Sequence, residues 1–95
     1  MKAQVFSIYD KKAQYFEKPF TSQNEETAVR LIKNTMSDTN AANIQFVKTP
    51  EDFALYHLGE FDDANGQIYS EPIHIMDLAF INNDEVVGIK EPQNA

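Results

Sequence analysis

The stretch that decides the fold lies at residues 53–71 and reads FALYHLGEFDDANGQIYSE. Its first part, residues 53–61, is rich in aromatic and aliphatic side chains and predicts a strand, in which Gly59 marks a bulge or bend. A turn is predicted at Asp62–Gly66, because Asn and Gly both tolerate positive φ angles. Residues 67–71 return as the partner strand, so this stretch predicts a β-hairpin.

A second hairpin is predicted towards the N-terminus. Residues 2–9 are rich in Val, Phe, Ile and Tyr, and the polar residues that begin at Asp10 suit a tight turn. The returning strand is predicted at residues 13–18. Pro19 has no N–H to donate to a sheet, so we expect it to end that strand.

One helix is predicted between the hairpins, at about residues 23–37. Ser22 and Glu25 have the spacing of a capping box, in which each side chain satisfies a backbone N–H at the start of a helix. The apolar positions that recur at helical spacing are Ala28, Leu31, Ile32 and Met36. Residues 38–43, rich in Asn and Ala, are interpreted as a loop.

The rest of the chain gives shorter signals. Thr49 and Pro50 predict a single capped helical turn, since Pro suits the first helical position and Thr caps it. Residues 73–81 fit a further strand or a short helix equally well. The polar residues 82–95 predict a flexible tail. The chain is therefore expected to be one α+β domain at residues 1–81, with a small antiparallel sheet of two hairpins packed on one helix.

Composition argues against catalysis. There is no cysteine and there are only three glycines, so thiolate chemistry and a glycine-rich phosphate loop are both excluded. His57 and His74 stand apart from other ligand-type residues, and we expect no metal and no cofactor. No apolar run has the length of a signal peptide core or a membrane span. A non-enzymatic protein of the cytoplasm, with no membrane partner, is the expectation.

The charge is uneven along the chain. The net charge is −7, yet residues 1–48 carry seven Lys or Arg against five acids, and residues 49–95 carry one base against ten acids. Aromatic and basic residues alternate in the first half, and this pairing is typical of single-stranded nucleic-acid binding. The residues predicted to bind DNA are Tyr9, Lys11, Lys12, Tyr15, Lys18, Arg30 and Lys33. An alternative stays open, in which the aromatics form the core and Arg30 pairs with Glu26 along the helix.

Several motifs occur together in one order: the Tyr9-Asp10 turn with Lys12-Ala13, Pro19-Phe20, Ala28-Val29-Arg30, and the run PEDFALYHLGEFDD at residues 50–63. In this order they resemble the small nonstructural protein of the gokushoviruses, single-stranded DNA phages of the microvirus group. The resemblance implies a viral, DNA-binding protein that acts in phage genome replication or packaging, inside the host bacterium. Of the residues at motif positions, it implies DNA contact for Tyr9, Lys11 and Arg30.

A second function remains open. The strongly acidic second half suits a protein-interaction or assembly factor that binds itself, a viral protein or a host protein. A chain of this length buries only a thin core, so a homodimer or higher oligomer is also expected.

Overall fold

The two hairpins form one antiparallel sheet, and three helices pack against it. The structure is a computed structural model that describes residues 2–82. The strands are β1 (Lys2–Asp10), β2 (Tyr15–Phe16), β3 (Phe20–Ser22), β4 (Phe53–Asp62) and β5 (Gln67–Asp77). The helices are α1 (Glu25–Ser37), α2 (Gln45–Lys48) and α3 (Leu78–Asn82), with single 3-10 turns at Thr39–Ala41 and Pro50–Asp52. The α+β prediction is confirmed. The predicted tail, apart from Asn82, lies outside the described residues.

The first hairpin is longer than predicted. β1 pairs with β2 at its C-terminal end and with β3 at its N-terminal end, on the same side, while β4 pairs with its other side. The strand predicted at residues 13–18 is only Tyr15–Phe16; it ends before Pro19 as expected, but a further strand, β3, pairs with β1 beyond the proline. Pro19 lies in the short break between β2 and β3, where it has no ladder hydrogen bond to make, so pairing resumes at Phe20.

The second hairpin is also longer, because β5 continues past residue 71 to Asp77. Residues 73–81, whose sequence fits a strand or a helix equally well, are strand as far as Asp77 and belong to α3 from Leu78. β5 passes through Pro72, which a strand tolerates at the edge of a sheet. The pairing with β4 shifts register close to this proline, between His57 and Gly59.

Two predicted helix caps were wrong. α1 is capped by Asn24, whose side-chain oxygen accepts a hydrogen bond from the N–H of Thr27 at 2.8 Å. Ser22 is instead the last residue of β3. The turn at Pro50 forms as predicted, but the Thr49 hydroxyl contacts α2 rather than capping that turn. Ser22 was misplaced because β3 includes it, whereas Thr49 does occupy the N-cap position of its turn but donates its hydroxyl back to the Gln45 carbonyl.

The predicted loop at 38–43 contains more structure than expected. The Asp38 carboxylate accepts from the N–H of Asn40 at 2.9 Å and so caps the 3-10 turn at Thr39–Ala41. The chain then enters α2, which the sequence did not predict. Four residues are too few for helical periodicity to be visible.

The predicted turns are confirmed. Gly66 has φ +75° in the turn between β4 and β5, and the Asp62 carboxylate accepts from the N–H of Ala64. Gly59 has φ +148°, and a β-carbon there would lie 1.9 Å from the carbonyl oxygen of Tyr69 on β5. Only glycine allows the two strands to approach this closely.

The core lies between one face of the sheet and the helices. Its fully buried members come from β1, α1, β4 and α3: Phe6, Ile8, Ala28, Ile32, Phe53, Leu55, Leu78 and Ile81. α1 therefore covers the face of the sheet that carries Ile8 and Leu55. The opposite face is called the outer face below.

Candidate functional site

Four rings contact one another on the outer face and are called the aromatic cluster: Tyr9, Phe16, Tyr56 and His74. The ring centres of Tyr9 and Phe16 are 4.8 Å apart, and Tyr56 lies 5.6 Å from Tyr9 and 5.1 Å from Phe16. His74 meets the Tyr56 ring edge to face at 5.5 Å. Phe16 and His74 are exposed, whereas Tyr9 and Tyr56 are half-buried. The cluster thus presents π surface to solvent.

Strand alternation places these rings opposite to the core. Successive side chains of a strand point to opposite faces, so Tyr9 faces outward because Ile8 faces inward. Tyr9 lies directly across from Ala54, and Tyr56 directly across from Ser7. Both of these small residues are fully buried. Their size leaves room for the neighbouring rings to lie across the sheet.

A charged group borders the cluster. Asp77, the last residue of β5, lies 3.1 Å from His74 Nε2 through Oδ1 and 3.3 Å from Lys11 Nζ through Oδ2. The hydrogen bond with His74 and the charge of Lys11 lower the pKa of Asp77 below its ordinary value of 3.8, although desolvation opposes the shift. This carboxylate is therefore ionised at neutral pH and shared by two basic side chains.

The turn after β1 carries both lysines of the predicted site. The Asp10 carboxylate accepts hydrogen bonds from the N–H groups of Lys12 and Ala13 at 3.0 and 2.9 Å, and so shapes the turn. The N–H of Lys11 donates to the carbonyl of Asp52 at 2.9 Å, and Lys12 Nζ lies 3.7 Å from the Asp52 carboxylate. Backbone and side-chain bonds together fix the turn at one end of the aromatic cluster.

The structure brings only part of the predicted site together. Tyr9 belongs to the aromatic cluster, Lys11 is joined to it through Asp77, and Lys12 lies in the same turn. Tyr15 begins β2 opposite Asp10 and is 56% exposed. It stands one residue before Phe16, so strand alternation directs it to the other face.

The other three predicted residues lie elsewhere. Lys18 follows β2 and lines a groove beside α1, on the core side of the sheet. Arg30 and Lys33 are exposed on α1. At 100° per residue, Arg30 points almost directly away from the buried side of the helix, which is marked by Ala28 and Ile32. A surface that unites all seven predicted residues is therefore absent from the described part of the chain.

Sequence reasoning missed three members of the cluster. Phe16 was passed over for Tyr15 because the length of the turn, and hence the register of Tyr9 with Phe16, is not visible in the sequence. Tyr56 was assigned only to a strand, although its alternation with the buried Leu55 was a usable signal. His74 could not have been found, because it reaches Tyr56 only through the long pairing of β5 with β4.

A protein-family model matches most of this chain. The family model described as "Phage ORF5 protein" matches residues 3–81, which span every strand and helix described above almost completely. This chain belongs to the Phage ORF5 protein family. No curated protein and no solved structure matches it. Membership makes it a phage protein, and the aromatic cluster lies within the matched region.

The phage protein also has an apolar groove of about 420 Å³ on the core side of the sheet. It lies between the chain around Lys18 and Phe20, the α1 residues Leu31 and Thr35, and Phe46 of α2. Its separation from the outer face means that Lys18 serves this groove rather than the aromatic cluster.

Residues 2–82 contain neither a cluster of metal-ligating side chains nor a helix suited to cross a membrane. No three His, Asp or Glu side chains among them converge as a metal ion requires. His57 lies away from the cluster, 2.8 Å from the side-chain oxygen of Gln4 and against the ring of Phe6. No helix in this part of the phage protein is long and apolar enough to cross a membrane.

Proposed function

We propose that this phage protein is a non-enzymatic protein that binds single-stranded DNA on the aromatic cluster, in the host cytoplasm, during phage genome replication or packaging. The observation that carries the proposal is the contact network of Tyr9, Phe16, Tyr56 and His74 on one sheet face. The sequence motifs that resemble the gokushovirus nonstructural protein support the same function.

Stacking is the interaction that this surface offers. Unpaired bases stack on aromatic side chains whatever their sequence, and each stacked base contributes about 1–3 kcal/mol. Phe16 and His74 are the exposed rings and would receive bases first. Tyr9 and Tyr56, half-buried beneath them, would hold them in place.

The charge of the protein determines how strongly we expect it to bind DNA. Phosphate neutralisation by Lys and Arg supplies most non-specific affinity, and a protein with a net charge of −7 repels DNA at long range. At the aromatic cluster the local bases are Lys11, Lys12 and His74. We therefore expect binding that is weak, dominated by stacking, and only moderately dependent on salt.

The test uses two neighbouring aromatic residues as a matched pair. Phe16 lies in the aromatic cluster, whereas Tyr15 is more exposed and stands outside it. Fluorescence anisotropy with a labelled 20-nucleotide oligo-dT would be measured at low and at physiological salt. Phe16→Ala should weaken binding roughly five- to 150-fold, the loss of one stacked base, while Tyr15→Ala should leave it within about twofold.

Two results would contradict the proposal. One is the lack of any saturable binding by the unchanged protein at low salt. The other is equal loss in Tyr15→Ala and Phe16→Ala, since that would place the DNA elsewhere on β2. Circular dichroism of both variants verifies that the fold is kept.

A second candidate is supported by a different surface. β5 stands at the edge of the sheet, in the acidic half of the chain, and exposes Ile68 by 70% and Ile73 by 50%. Exposed apolar side chains on an edge strand favour association with another protein or with a second copy. Light scattering after size exclusion, and a nuclease-treated pull-down from infected cells, test this function. Partners lost on nuclease treatment, together with a monomeric mass, would count against it.

A further inference from the structure

One carboxylate holds two basic groups at the border of the aromatic cluster. Asp77 uses one oxygen for His74 and the other for Lys11, at 3.1 and 3.3 Å. Because the two oxygens of one anion reach both partners at once, the two basic groups are already spaced to bind a single anion. The three side chains are each between a third and a half exposed, so solutes reach them.

We propose that Lys11 and His74 form a phosphate-binding subsite for the DNA backbone, and that the Asp77 carboxylate occupies this subsite until a phosphate replaces it. The proposal rests on the function proposed above, and it names the groups that bind the phosphate. A phosphate, like a carboxylate, presents two oxygens as acceptors of charge-assisted hydrogen bonds.

The position of the subsite fits a strand whose bases stack on the cluster. The His74 ring contacts Tyr56, so an anion bound by His74 would lie at the margin of the stacked rings. A nucleotide has the same arrangement, with its phosphate beside the plane of its base. Lys12 is held by Asp52 in the adjoining turn, so it is a candidate for the next phosphate.

Asp77 is able to leave. It ends β5 with about a third of its side chain exposed, and its ion pair with Lys11 is open to solvent, where such pairs contribute little stability. The consequence is unusual for a binding site. Removal of this acidic side chain should strengthen DNA binding by more than the loss of one charge elsewhere would.

The experiment compares two acids of the same strand in the full chain. Asp77→Asn and Glu71→Gln each remove one negative charge from β5. In oligo-dT anisotropy at low salt, Asp77→Asn should bind roughly three- to fivefold tighter than the unchanged protein, as expected when an exposed ion pair no longer competes. Glu71→Gln should stay within about twofold, since screening limits distant charges. The gain should vanish in the double variant Lys11→Gln, Asp77→Asn.

A second measurement does not depend on DNA. Titration with inorganic phosphate, followed by NMR of the His74 ring and the Lys11 amide, should shift both signals at lower phosphate concentration in Asp77→Asn than in the unchanged protein. Oligo-dT binding by the unchanged protein, with equal affinities for Asp77→Asn and Glu71→Gln, would overturn the subsite and leave the proposed function standing. NMR shifts of His74 on phosphate addition, without any oligo-dT binding, would overturn the proposed function and leave the phosphate-binding subsite standing. Absence of phosphate shifts in both proteins would overturn the subsite directly.

Discussion

Lys11 Nζ lies 3.3 Å from the Asp77 carboxylate, which joins the turn after β1 to the end of β5 across the intervening strand β4. The backbone N–H of Lys11 also donates to Asp52, immediately before β4. The turn is therefore tied to the residue that precedes β4 and to the last residue of β5. Because Tyr9 and Phe16 flank this turn, its attachment helps to fix the position of their rings.

The first prediction concerns acid stability. The pKa of Asp77 is lower in the folded chain than its ordinary value of 3.8, because of His74 and Lys11. Its contribution is therefore complete above about pH 4 and is lost as the pH falls through the lowered value. Asp77→Asn should lower the free energy of unfolding by less than about 1 kcal/mol at pH 7 and by a smaller amount at pH 2.

Urea titrations at both pH values measure this difference. Glu71→Gln serves as the control on the same strand. A cost of Asp77→Asn that stays constant from pH 7 to pH 2 would show that the carboxylate is not stabilised by its two basic neighbours.

The second prediction concerns the two glycines of the second hairpin. Gly59→Ala should destabilise the protein by about 3 kcal/mol or prevent folding, since a β-carbon would meet the Tyr69 carbonyl at 1.9 Å and φ is +148°. Gly66→Ala has open space around it and a φ of +75°, so only about 1–2 kcal/mol is expected. Thermal unfolding compares them, and equal costs would refute the close approach of β4 to β5.

The third prediction tests the cap of α1. Asn24→Ala should cost about 1 kcal/mol, because the N–H of Thr27 loses its acceptor. Ser22→Ala should stay within about 0.5 kcal/mol, since Ser22 belongs to β3. Chemical denaturation measures both free energies. The reverse order would restore the capping box that the sequence suggests.

The fourth prediction separates the two groups of basic residues. Lys11→Gln should weaken oligo-dT binding several-fold and reduce its salt dependence by about one phosphate. Arg30→Gln removes the same charge from the far side of α1 and should change affinity less than about twofold. Anisotropy over a salt series measures both. An equal effect of Arg30→Gln would mean that the helix also lies along the DNA.

Local signals predicted the elements whose causes are local. The Asp62–Gly66 turn, the bend at Gly59 and the helix predicted at about residues 23–37 all follow from turn chemistry and helical spacing, and all are confirmed, although the helix begins at Glu25. Elements stabilised by their neighbours were not predicted in full. β3 continues after Pro19 because β1 offers it a partner, and α2 is too short to show a period.

The candidate site divides in the same way. The sequence by itself determined the α+β class, the uneven charge, and the aromatic and basic character of the first hairpin. Only the tertiary structure decided that Tyr9 meets Phe16 rather than Tyr15, that Tyr56 and His74 join them, and that Arg30 points elsewhere. The physical reason is register: it depends on turn length and on bulges, and a shift of one residue exchanges the two faces of a strand.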